Sequence, residues 1–157
     1  MNFLCPNHRQ RFADLPPGER KGLWLSWMKQ ACACSEENHW QGVLSFSGSA
    51  FDLACLRGSH KEESSMGIEL TLSAILVSRV LFDFADRAGS EAVILRALEH
   101  LLANEHDASR ADCQEIEECI AVLMDTSRQA DFFADYLNWS TLAFARRDRS
   151  SVCKTLH

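Results

Sequence analysis

Two short clusters in the sequence carry residues able to hold a metal or act as nucleophiles. Cys5-Pro6-Asn7-His8 places a thiol and an imidazole three positions apart, and Cys32-Ala33-Cys34 is followed by His39. Zinc takes four nitrogen or sulfur ligands in a tetrahedron. Cys5, His8, Cys32 and Cys34 would complete such a set if the fold brought the two clusters together. Structural zinc sites, however, usually show two clean C-x2-C or H-x3-H knuckles, and C-x-C chelates poorly from a helix. The spacing therefore argues against a bound metal or other cofactor. Those four residues remain the basis of an alternative, a metal- or thiol-dependent regulatory protein.

Other chemistries find less support. A di-iron bundle needs two E-x-x-H motifs on inward helix faces. Glu36 and His39 supply one, but His60, His100 and His106 are preceded three positions earlier by Arg57, Ala97 and Ala103. Cys55, Cys113 and Cys119 fall on apolar faces, where thiols are inert. His100 and His106 lie near a helix C-terminus, which favours an imidazolium without any catalytic role. Gly42 and Gly48 have no Lys-Ser/Thr pair after them and so form no phosphate loop. No catalytic residue is assigned, and a non-enzyme is expected.

The elements that must position these residues follow from composition and periodicity. With 157 residues, 46% hydrophobic and 24% charged, the chain is expected to form one globular domain over 1–157. Within it, residues 1–15 read as an irregular N-terminal segment and 150–157 as a frayed tail. Formal net charge is −6, which disfavours nucleic acid as a partner. The charge is uneven: residues 1–34 and 136–157 each carry +3, and residues 35–135 carry −12. The plain reading is that solvated helix faces are acidic; the sharper alternative is that the basic ends fold onto the acidic body or onto a second subunit. The N-terminus lacks a signal-peptide core, and the most apolar run carries Glu69, Arg79 and Asp83. Seven cysteines in such a chain imply reduced thiols in a bacterial-type cytoplasm, with no membrane partner.

Apolar residues recur at helical spacing almost throughout. Pro16-Pro17-Gly18 feeds a first helix bearing Leu23, Trp24, Trp27, Met28 and Ala31. Ser35 with Glu36, Glu37 and Asn38 resembles the start of a second, spanning about 36–57 and including Trp40, Val43, Leu44, Phe51 and Cys55. Gly48, with Ala50 and with Ala31 on the preceding helix, marks where a neighbouring helix could approach closely. Gly58 reads as that helix's terminal glycine. Leu70, Ala74, Val77, Leu81 and Phe84 predict a third helix, after which Gly89 and Ser90 supply a stop and a new cap. Val93, Ile94, Ala97, Leu98, Leu101 and Leu102 predict a fourth. Ser109 and Asp112 resemble a capping box, Cys113 to Leu123 a fifth helix, and Thr126 or Ser127 the cap of a last one. The expectation is an all-α chain of about six antiparallel helices in three αα-hairpins.

Residues 19–57 resemble a tetratricopeptide-repeat (TPR) helix pair. Trp27 matches that family's aromatic in the first helix, and Ala31 the small residue one turn later. Trp40 matches the bulky opening position of the second helix, and Ala50 its late small position. Val43, Ser47 and Cys55 depart from the pattern, and a period of about 34 residues from Trp27 lands on Lys61. Pairs at 66–104 and 109–148 copy the layout without the motif. The resemblance implies a right-handed superhelical or bundled body with a helix-lined groove. It implies a non-enzymatic adaptor or chaperone-like protein that binds a peptide or partner protein and could self-associate as a homodimer. Trp139, Tyr136, Arg146 and Arg147 on the last helix are the expected partner-binding residues, because exposed Trp is enriched at hot spots.

Overall fold

The structure, a computed structural model, describes residues 3–56, 66–105 and 110–137. It is all-α, as expected. The described elements are α1 (Pro6–Ala13), α2 (Pro17–Glu36), α3 (Trp40–Cys55), α4 (Gly67–Asp83), α5 (Arg87–Glu105), α6 (Arg110–Met124), a 3-10 turn (Thr126–Arg128) and α7 (Gln129–Leu137). Helices α2 to α6 pack in sequence order, α1 lies against α3, and α4 also reaches α2, α6 and α7.

α4 is the centre. Every residue from Leu70 to Val77 is buried, so its neighbours surround it. That explains why its sequence reads as an apolar run with no polar face. Thr71 and Ser73 survive there because their hydroxyls donate to the Gly67 and Glu69 carbonyls, both at 2.7 Å. Ser47 on α3 does the same to Val43 at 2.6 Å.

Two expectations about helix starts are corrected by how the preceding helices end. Ser35 is buried inside α2 and opens no helix; its hydroxyl donates to the Cys32 carbonyl at 2.7 Å. The break falls at Asn38, which has a left-handed φ of 60°. The Asn38 amide bonds Ser35 O at 3.1 Å and the His39 amide bonds Cys34 O at 2.8 Å. This paired closure is a Schellman motif, normally built on glycine. The same motif ends α4, with Ala85 at φ 65° and the Asp86 amide on Leu81 O at 2.9 Å. Gly89 is therefore not a stop: it lies in α5, and its amide donates to Asp86 Oδ1 at 2.9 Å. Asp125, rather than Thr126 or Ser127, takes the last capping role, accepting from the Ser127 amide at 3.0 Å. Gly58 and Ser109 lie outside the described residues.

The N-terminal segment is not irregular as expected. Pro6 fits the first turn of α1, where its missing N–H is no loss. The helix buries no residue of its own and owes its place to tertiary contacts. Phe12 meets Trp27 edge-on at 5.6 Å. Buried Arg20 of α2 donates to Ala13 O at 2.8 Å and to Leu56 O at 3.1 Å. One guanidinium thus satisfies carbonyls at the C-terminal ends of both α1 and α3, where a cation is favoured.

Candidate functional site

Asp52 interrupts the apolar run Ala50-Phe51-Asp52-Leu53 and is completely buried. A lone buried carboxylate is costly, so it must be paired. Four donors from three segments meet it: the backbone amides of Phe3 and Leu4, Arg9 of α1 at 3.3 Å and Arg96 of α5 at 2.8 Å. The Arg96 guanidinium also lies over the Phe51 ring, 5.1 Å from its centroid, a cation–π contact. Burial pushes the nearby Cys55 thiol up to about 12, with Arg96 opposing the rise and Asp52 adding to it.

This network sets the rotation of α5. Arg96 is drawn inward to Asp52, while Val93, Ala97 and Leu101 enter the core. The Ser90 hydroxyl meets Ser78 on α4 at 2.8 Å. Leu95 and Leu102 are consequently turned outward, 59% and 51% exposed. They lie seven residues apart, about 10.5 Å along one helix face at 1.5 Å per residue. Half-buried Leu98 falls between them. The 3-4 spacing of Leu95, Leu98 and Leu102 is that of a seam that receives another helix. Exposed Glu91 and Glu99 flank it. Leu102, one of the periodic apolar residues that predicted this helix, is therefore exposed, and so is Leu95, which the periodicity did not single out.

No protein-family model, curated protein or solved structure matches this chain.

The structure brings some of the expected site residues together. Cys5 Sγ lies 3.1 Å from His8 Nδ1. Cys32 and Cys34 do not join them, and among the described residues no three His, Cys, Asp or Glu side chains converge as a metal site. Burial, and then Glu36, raise the Cys32 thiol. Cys34 Sγ and His39 Nδ1 instead crowd the α-carbon of Gly42, leaving no room for a β-carbon. Ala31 and Ala50 are fully buried, consistent with close packing of α2 on α3. Gly48 does not receive a helix, contrary to expectation; the Phe3 ring fills the space its side chain would need. Tyr136 is 44% exposed, and its ring lies 4.7 Å from Phe132. Burial, followed by Glu118 of α6, pushes its phenol up. Trp139, Arg146 and Arg147 lie outside the described residues.

Proposed function

We propose that the protein is a non-enzymatic helical interaction module, an adaptor or chaperone-like protein, that docks an amphipathic helix of a partner protein on the outer face of α5. The observation that carries this reading is the outward seam Leu95–Leu98–Leu102. Its spacing suits an opposing helix, and contiguous exposed apolar side chains on a small chain mark interaction surfaces. The acidic flanks Glu91 and Glu99, on a chain of net charge −6, select a partner helix with Lys or Arg beside its own apolar stripe. The TPR resemblance of residues 19–57 points to the same class of function.

A photo-activated cross-linker at position 102 of the full-length chain, used in its native cells, tests this. The expected product joins residue 102 to a partner segment with leucine-like residues at 3-4 spacing and basic flanks. The product is lost when Leu95 becomes Glu. A cross-link to residues 138–157 of the same chain, or to a second copy, refutes the reading, as does labelling no stronger than from position 117.

A further inference from the structure

The Cys5–His8 pair is independent of the α5 seam and carries an inference beyond docking. Cys5 is exposed and forms the N-cap of α1 in extended backbone. Its carbonyl accepts the Arg9 amide at 3.0 Å. The thiol therefore stands at the first turn of the helix, open to solvent. Cys5 Sγ and His8 Nδ1 lie 3.1 Å apart; in the tautomer that carries the ring proton on Nε2, the thiol donates and Nδ1 accepts.

The pair is held from both sides by contacts other than the one between Cys5 and His8. Upstream, the Phe3 and Leu4 amides are fixed on Asp52 and the Phe3 ring is seated at Gly48. Downstream, the His8 ring stacks on Phe12 with centroids 5.6 Å apart and planes within 12°. Phe12 in turn rests edge-on against Trp27, and the next residue, Arg9, reaches Asp52. Sulfur and base thus keep their relation without relying on the bond between them.

The other described cysteines are less exposed than Cys5. Cys55 and Cys119 are buried, and burial pushes their thiols up to about 12 and about 11. Burial also raises the half-buried Cys32. Cys34 is packed at Gly42. Cys113 faces the Glu105 carbonyl at 3.8 Å.

We infer that Cys5 is a reactive thiol, a site of S-thiolation by small disulfides, with His8 as its base. His8 Nδ1 takes the thiol proton, and the Cys5 sulfur attacks one sulfur of the disulfide. The disulfide's S–S bond breaks. One half remains on Cys5 as a mixed disulfide, and the other leaves as a thiolate that takes the proton back from the His8 imidazolium. Cys5 is oxidised and the departing sulfur is reduced, so the disulfide is the sole oxidant required.

The full-length, reduced protein incubated with oxidised glutathione, with adducts quantified at each cysteine by mass spectrometry over time, tests this. Cys5 is expected to react at least about tenfold faster than Cys34 or Cys113, the scale set by a base-assisted, exposed thiol. His8→Gln and His8→Phe are both expected to slow Cys5 by about tenfold. Phe keeps an aromatic ring for the Phe12 stack, so its effect separates the base from the packing. A Cys5 rate no greater than that of Cys113 or Cys153 overturns the inference without recourse to any variant. A His8→Phe protein that reacts like the wild type overturns it too.

Discussion

Replacing Asp52 with Ala removes one carboxylate and strands donors from three segments of the chain. Asp52 is fully buried, whereas the Arg9 and Arg96 side chains remain 30% and 26% exposed. Breaking a wholly buried ion pair costs about 3–5 kcal/mol. Here both guanidiniums can turn toward water, which places their share well below that range. The Phe3 and Leu4 amides have two choices. They stay buried and unbonded, at about 1–3 kcal/mol each, or the segment lifts off and exposes Leu4, worth about 1.5–3 kcal/mol. The cheaper route is lifting off, and with the weakened arginine contacts the total comes to about 3 kcal/mol. At about 2–4 °C per kcal/mol for a chain of this size, Tm falls by roughly 6–12 °C. Asp52→Asn keeps an acceptor oxygen for the amides and loses the charge, so it falls between Ala and wild type. Thermal unfolding by circular dichroism measures the stability loss, and hydrogen exchange at the Phe3 and Leu4 amides reports where it arises. A loss for Asp52→Ala within about 0.5 kcal/mol, the range of ordinary surface substitutions, refutes the reasoning, as does unchanged protection of those amides.

Gly48→Ala should destabilise the native protein, because the added methyl evicts the Phe3 ring. In a Phe3→Ala background the same change should stabilise by up to about 1 kcal/mol through helix propensity, and a denaturant double-mutant cycle reads the reversal of sign. Glu115→Gln should stabilise at neutral pH. Burial, then Glu69 and Asp112, hold the Glu115 carboxyl above its usual range. Well below that range it is protonated folded or unfolded and carries no penalty. As pH rises from the usual value through the raised one, the unfolded chain ionises first and folding stability is lost. The gain from Gln should therefore appear across that window and vanish at its acid end in urea titrations at stepped pH. Cys55 and Cys119 should resist iodoacetamide in native buffer and become labelled once the chain is unfolded, as peptide mapping would show.

Periodicity was enough to locate α2, α4, α5 and α6, because each buries one stripe or, for α4, nearly everything. It also carried α3 through Gly42 and Gly48, whose missing side chains leave room for His39, Cys34 and Phe3. The helix ends were misplaced where the left-handed residue is Asn38 or Ala85, since a sequence search for stops looks for glycine. α1 was missed because it has no buried stripe; Asp52, Arg20 and Trp27 hold it from a distance, and no local pattern records that. The site was less legible. The three-residue spacing of Cys5 and His8 was visible in the sequence, but the helix start that brings them into contact was not. Asp52 had a signal, a single acid inside an apolar run, but its partners at 3, 4, 9 and 96 are visible only after folding. The outward turn of Leu95 and Leu102 depends on Arg96 pointing inward, against the usual expectation for an arginine.

The enclosure of α4 also bears on how freely this chain can vary. A residue on an ordinary surface helix answers to one neighbour and to water. Each position from 70 to 77 answers to protein on every side, with two hydroxyls already committed to carbonyls of their own helix. A larger side chain has nowhere to go, and a smaller one leaves a void that several helices would have to close together. In a saturation library scored for folding, this eight-residue window should show the narrowest tolerance among the described residues, while the faces of α5 and α6 that meet solvent accept most substitutions.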